Sequence, residues 1–217
     1  MKALLESSRG AWILIAMALA GVGVFAFAIG ALMMPHSEAL GDRLPELTCL
    51  QVAFTPERSA SIVTSFSAEQ QQAIANLLVP GDVVFAWSYG LLLAGLVGLL
   101  ARRLDGAWAR IGAIVMWMPI AASALDVIED LFLREIVGLL IEDPLAQVPE
   151  ILPLLAGIAA TLKYLALAVV TPAYSIAGIM RGLLVDRRAG ALLTYFLLLV
   201  VCLSMVARPA QQIPACF

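Results

Sequence analysis

Four ionisable residues, Asp82, Asp126, Glu129 and Lys163, interrupt or border long apolar stretches of the sequence. Charged groups in apolar surroundings are costly unless they are paired or have a function. Three interpretations are open: a salt bridge that fixes helix register, a site for a cation, proton or polar head group, or catalysis. Ser123 is the nearest nucleophile, but no base is placed beside it, so no catalytic residue is predicted.

The elements that must position these groups are membrane spans. Hydrophobic residues make up 62% of the chain and charged residues 13%, with a mean hydropathy of +0.98. In soluble domains about 45–50% of the residues are apolar and about 25% are charged. A helix needs about 20 apolar residues to cross a bilayer. We predict an all-α, polytopic transmembrane helix bundle that forms a single domain over residues 1–217, with five spans at about 11–34, 83–101, 111–133, 151–180 and 189–207.

These spans predict a common depth for the ionisable groups. With Arg110 and Arg181 at the inner ends of their spans, a rise of 1.5 Å per residue places Asp126 about 24 Å and Lys163 about 27 Å above them. Asp82 caps the outer end of the second span. We therefore expect the four groups to meet near the outer leaflet, where the ammonium would tie the third span to the fourth.

A local partner is expected for Asp130. This residue precedes Arg134 by four positions, which is the favourable order for an ion pair along a helix. We expect that pair at the membrane interface. It would leave Asp126 and Glu129 to share Lys163, because like charges so close together need an intervening cation or a proton.

The distribution of Lys and Arg predicts the orientation. Eight lie on the side of the amino terminus and residues 102–110 and 181–188, and four lie on the other side. Because cytoplasmic loops are rich in basic residues, we expect a bacterial inner (plasma) membrane protein with a cytoplasmic amino terminus and an extracytoplasmic carboxyl terminus. The formal charge of -3 does not favour nucleic acid as a partner. The first stretch is expected to be a retained anchor, with a cleaved signal peptide as the alternative.

The outer loop, residues 35–82, is predicted to be helical. Thr55 and Pro56 form a helix start, and Ser67 with Gln70 has the form of a capping box before a second helix. Two short amphipathic helices must lie on something: the bundle end, the lipid interface or a partner protein. The loop is interpreted as a structural lid, with a ligand gate or a docking surface as alternatives.

The few Cys and His residues limit the possible chemistry. Cys49 and Cys216 both fall on the predicted outer side, where a disulfide could persist, although three unpaired thiols are the alternative. His36 is the one histidine, so zinc and paired haem ligands are not predicted. The apolar fingerprint at 21–26 lies inside a span and carries no weight as a dinucleotide site. No cofactor or metal is expected.

Three short motifs resemble small bacterial multi-helix integral membrane proteins of uncharacterised function. They are Phe54-Thr55-Pro56-Glu57-Arg58, the stretch from Asp82 to Tyr89-Gly90, and Leu125-Asp126-x-x-Glu129-Asp130, where the resembling proteins have Asn at the position of Asp130. The likeness spans residues 50–165. It implies a bundle of four or five helices with a helical outer loop, and it implies no activity.

Two functions of different classes follow from these features. The first is a non-enzymatic accessory or scaffold protein, in contact with membrane lipids and with other membrane proteins through the 35–82 loop. The second is a small transporter, or a lipid- or small-molecule-binding protein, that uses the acidic cluster. An intramembrane enzyme is a third interpretation, supported by the acidic cluster alone.

Overall fold

A computed structural model of the chain describes residues 5–185 and residue 216, and the described part contains helices and no strand. Four helices are long and apolar enough to cross a membrane: Ser8–Arg43, Ala68–Ala101, Gly106–Glu142 and Ile151–Gly182. We call them the first to fourth spans. The described chain therefore has four spans against the five predicted, and the predicted span 189–207 lies outside the described residues.

Each span is longer than its apolar stretch. The helix of the second span begins at Ala68 rather than at residue 83, and that of the third extends to Glu142 rather than 133. Hydropathy detects only the part that crosses lipid, whereas hydrogen bonding continues the helix into the polar region. The α-helical segments of the spans are Ser8–Phe27, Met34–Leu40, Ala68–Asn76, Val83–Ala101, Gly106–Val115, Met118–Glu142, Ile151–Tyr164 and Thr171–Val185.

A proline accompanies the irregular turn within each span. π-Helical turns lie at Ala28–Met33, Leu77–Asp82 and Leu165–Val170, close to Pro35, Pro80 and Pro172, and an open turn at 116–117 precedes Pro119. Proline has no N–H, and its ring clashes with the preceding helical turn, so the ladder of hydrogen bonds changes there.

The first three spans pack side by side, and the fourth packs on the third. Backbones approach most closely between the first and second spans, where a Cβ on Gly21 would lie 2.5 Å from the Leu92 nitrogen and one on Gly95 would lie 2.6 Å from the Leu14 oxygen. We call the apolar interior around this contact the bundle core. It includes Leu14, Ala86, Tyr89, Leu93, Val97, Leu100, Met116 and Tyr174.

After the end of the first span, the predicted outer loop forms three α-helices on the opposite end of the bundle. They are Glu46–Gln51, Pro56–Ser65 and Ala68–Asn76, the last of which leads into the second span. We call residues 41–76 the lid. The predicted Thr55 cap, Pro56 start and capping box of Ser67 with Gln70 are all confirmed.

The lid lies on the Glu142 end of the third span, so it is supported by the bundle end, the first of the three expected supports. Apolar side chains of the lid, of the third span and of the end of the first span form a second interior, the lid core, which includes Leu40, Leu50, Val63, Phe66, Ile74, Leu133, Ile136 and Leu140. Arg43 ties the lid together, because its guanidinium donates to Glu46, at 2.6 and 2.8 Å, and to the Ser65 carbonyl, at 2.8 Å.

Candidate functional site

The acidic cluster lies where the bundle core meets the lid core. Asp82 ends the π turn Leu77–Asp82 of the second span, and Lys163 lies in the last turn of Ile151–Tyr164. Asp126, Glu129 and Asp130 lie on the third span at positions that share one helical face. The structure thus brings together the four residues that the sequence singled out and adds Asp130 to them. We call these five residues the acid cluster.

Lys163 joins the fourth span to the third. Its ammonium donates to Asp126 Oδ1 and lies 2.6 Å from Glu129 Oε2. Glu129 is fully buried, and Asp126 and Lys163 are each only 4% exposed. The Tyr89 hydroxyl, from the second span, donates to the other oxygen of Asp126 at 2.7 Å. The pair is therefore held by three spans and shielded from solvent.

The prediction that Asp130 pairs with Arg134 is wrong. Asp130 is fully buried, whereas Arg134 is exposed, and no ion pair joins them. Successive i,i+4 positions drift by about 40° around a helix, so a residue eight positions after Asp126 turns away from the buried face. One carboxylate oxygen each from Asp82, Asp126 and Asp130 lies within 4.8 Å of the others.

Asp130 is the least satisfied group of the cluster. Both of its carboxylate oxygens are buried, and no hydrogen-bond partner among the described residues reaches either. Buried carboxylates without donors are expensive, and most buried polar groups in proteins have a partner. The arrangement therefore fits a proton or a cation between Asp130 and its neighbours.

Charges in the cluster do not balance within the described residues. Four carboxyl groups face a single ammonium, that of Lys163. Like charges at this separation cannot all stay ionised in a buried site unless protons or another cation offset them. A salt bridge that only fixes helix register would need one acid, so the additional acids require a different explanation.

Close packing holds the second and third spans together beside the cluster. A Cβ on Gly90 would lie 2.1 Å from Ser123 Oγ, so only glycine fits at that position. The Ser123 hydroxyl is within hydrogen-bond distance of the Ala86 carbonyl, at 2.6 Å, and the Pro119 carbonyl, at 2.9 Å. Ser123 therefore bonds to backbone and has no base beside it, which agrees with its exclusion as a nucleophile.

The lid contacts the fourth span directly above the cluster. Tyr164 follows Lys163 in sequence, and its hydroxyl donates to Gln51 Oε1 at 2.7 Å. A Cβ on Gly157 would lie 2.5 Å from the Phe54 ring, so the first residue of the resemblance motif packs on that glycine. Tyr89, Gln51 and the role of Asp130 were missed in the sequence. A hydroxyl-bearing ring within an apolar span was the available signal for Tyr89.

A disulfide joins the two cysteines that are predicted to lie on the outer side. Cys49 in the lid helix Glu46–Gln51 and Cys216 form a disulfide with an S–S distance of 2.08 Å. The bond links the lid to the carboxyl-terminal end of the chain across 167 residues. The third cysteine, Cys202, lies outside the described residues.

Comparison of the chain with known protein families, with curated proteins and with solved structures finds no match. The resemblance drawn from the three short motifs therefore stays a prediction. Function has to be inferred from the geometry of the acid cluster and of the elements around it.

Proposed function

We propose that this protein is a small transporter of the bacterial inner membrane that binds a proton or an inorganic cation in the acid cluster. The observation that carries this proposal is the excess of buried carboxyl groups over Lys163, together with the unpartnered oxygens of Asp130. Ionisable groups inside membrane proteins occur where protons or ions pass.

Each residue has a distinct role in this proposal. Lys163 keeps Asp126 and Glu129 in place and offsets part of their charge, and Tyr89 fixes the orientation of Asp126 through its hydrogen bond. Asp130 and Asp82 then receive the proton or cation. The Asp126 carboxylate then shares its negative charge between the arriving positive charge and Lys163. Its attraction for Lys163 becomes weaker, and the contact between the third and fourth spans loosens.

The orientation rests on two independent features. Arg181 lies 3.4 Å from Asp105, so basic residues of the 102–110 connection and of the fourth span gather at the end of the bundle opposite the lid. The lid end carries the disulfide of Cys49, and disulfides persist in oxidising compartments. Both features support a cytoplasmic basic end and an extracytoplasmic lid.

Proton movement in reconstituted vesicles tests this function. The protein is placed in liposomes that contain a pH-sensitive dye, and an inward proton gradient is applied with and without K⁺ and valinomycin to set the membrane potential. We expect protein-dependent acidification that Asp126→Asn abolishes. Glu135→Gln is the matched control, because Glu135 is an exposed acid on the same span. Equal rates in Asp126→Asn and the control, together with no binding of a divalent cation by the purified chain, would contradict the proposal.

Cysteine labelling tests the orientation separately. A single cysteine introduced at Glu57, in the lid, should react with an impermeant maleimide in intact cells. A cysteine at Arg103 should react only after the membrane is permeabilised. Labelling of both from outside would overturn the proposed topology.

An accessory role in a membrane assembly is the second candidate. A groove of about 540 Å³ on the outer surface favours it, formed by the start of the lid helix Pro56–Ser65 and residues 146–150. A partner protein would dock there. Purification in mild detergent tests this role: a stoichiometric partner that is lost on Ala60→Arg supports it, and isolation of the chain alone in both cases contradicts it.

A further inference from the structure

We propose that Asp82, Asp126 and Asp130 form a binding site for one hard divalent cation. The inference rests on the proposed function, because it names the ligand class of the same cluster. It goes further in assigning three ligands and a charge.

The separations of the oxygen atoms fit this ion. One oxygen from each carboxylate lies within 4.8 Å of the other two. Two ligands of one ion can be separated by at most twice the ion–oxygen distance, which is about 4.2 Å for Mg²⁺ and about 4.6–5.2 Å for Ca²⁺. The three oxygens therefore lie close enough together to share one Ca²⁺.

Asp130 supplies an observation independent of the clustering of acids. Its side chain is fully buried, it points toward Asp82 and Asp126, and neither oxygen has a hydrogen-bond partner among the described residues. A bound cation satisfies both oxygens at once. Lys163 does not serve in this way, because its ammonium is engaged by Asp126 and Glu129.

Donor type and charge select the class of cation. All three ligands are carboxylate oxygens, which suit Ca²⁺, Mg²⁺ and Mn²⁺ rather than the softer metals that Cys and His bind. Lys163 offsets the charge of one of the four carboxylates. A divalent ion would then leave one carboxylate charge uncompensated, and a monovalent ion would leave two. Asp126 can still act as a ligand although Lys163 and Tyr89 contact it, because each carboxylate oxygen has two lone pairs.

Asp82 marks the entrance to the site. It is half-buried, whereas Asp126 and Asp130 are buried. It lies in the π turn that follows the lid helix Ala68–Asn76, so an ion from the outer side meets Asp82 before the buried Asp126 and Asp130.

Mn²⁺ binding tests the inference without any transport assay. The full chain is purified in detergent, stripped with a chelator and titrated with Mn²⁺, and the electron paramagnetic resonance signal of free Mn²⁺ is recorded. We expect one Mn²⁺ per chain, displaced by an excess of Ca²⁺. Asp130→Asn should weaken Mn²⁺ binding about 100-fold, since even outer-shell changes cost 10–100-fold. Glu135→Gln should bind like the parent chain.

Other outcomes separate this inference from the proposed function. Absence of Mn²⁺ binding to the parent chain overturns the cation site. The site is also overturned if Asp130→Asn and Asp82→Asn, eluting unchanged from a sizing column, bind Mn²⁺ as tightly as the parent chain does. If vesicle acidification persists while Mn²⁺ does not bind, the proton is the ligand, and the proposed function stands without this inference.

Discussion

The bundle core and the lid core are both apolar, but they are assembled by different means. In the bundle core the first and second spans touch through Gly21 and Gly95, and the contact depends on shape. Lipid tails are as apolar as leucine, so packing rather than the hydrophobic effect drives helix association there. The lid core instead joins short amphipathic helices with capped ends and an arginine clamp, and water drives their burial.

The acid cluster occupies the boundary between these two interiors. Tyr89 belongs to the bundle core and contacts Asp126, whereas Tyr164 follows Lys163 and contacts the lid. The comparison teaches that the charged groups lie where packing by shape in the bundle core gives way to water-driven burial in the lid core. Such a boundary is a favourable place for a site whose contents change.

Removal of the cluster's ammonium should have the largest effect. Lys163→Ala leaves Asp126 and Glu129 buried without their cation, and loss of one partner of a buried pair costs about 3–5 kcal/mol. We expect a much lower thermal midpoint in detergent and partial recovery in the double variant with Asp126→Asn. Arg134→Ala, at an exposed position of the third span, is the control. A midpoint of Lys163→Ala equal to that of the parent chain would show the pair to be dispensable.

Two leucines of equal burial compare the interiors directly. Leu40 in the lid core and Leu93 in the bundle core are each 1% exposed. Leu40→Ala should cost about 2–5 kcal/mol of unfolding free energy, because a transfer contribution adds to the cavity. Leu93→Ala should cost less, since lipid is also apolar and mainly the cavity contribution remains. Unfolding of both variants in nanodiscs measures the difference, and a larger loss for Leu93→Ala would reverse the comparison.

A pair of glycines tests whether shape governs the bundle core. Gly21→Ala places a methyl group 2.5 Å from the Leu92 nitrogen, so the spans must separate, at about 1–3 kcal/mol. Gly23 lies two residues further on, with nothing within 4 Å of an added Cβ. Gly23→Ala should therefore leave the thermal midpoint unchanged. Equal midpoints for the two variants would argue against close packing of the first span.

The smallest effect should be a pH dependence confined to the lid. The Arg43 guanidinium donates hydrogen bonds to Glu46 and holds the pKa of that carboxyl below its usual value of 4.5. The stabilisation is thus fully present above the unfolded pKa and is lost as pH falls through the lower folded pKa. Amide hydrogen exchange in Pro56–Ser65 should rise in that acidic range. In Glu46→Gln this rise should be absent, and an equal rise there would assign it to another group.

Local chemistry in the sequence predicted much of the lid and the levels of the charged groups. Caps at Thr55 and Ser67 depend on neighbouring residues alone, and the constant rise of a helix sufficed to place Asp126 and Lys163 at one depth. The cap rules and the rise need no knowledge of tertiary contacts. They therefore apply to a single sequence.

Features that depend on rotation or on long-range contact could not be predicted. A four-residue spacing suggested Arg134 for Asp130, but which face of the third span is buried depends on its neighbours. Which small residues meet likewise depends on the rotation of the spans, and the tight backbone contacts lie at Gly21 and Gly95. Span limits were too short because hydropathy does not register the polar ends of helices.

Adjacent residues of the fourth span serve the lid and the acid cluster, since Tyr164 bonds to Gln51 while Lys163 holds the carboxylates. The two contacts share one peptide bond, so lid displacement and ion-pair geometry are energetically linked. Displacement of the lid should change the ion pairs of the Lys163 ammonium. Occupation of the carboxylates should in turn change how tightly the lid binds to the fourth span. A double-mutant cycle between Gln51 and Lys163 would report this reciprocity as a nonadditive free energy.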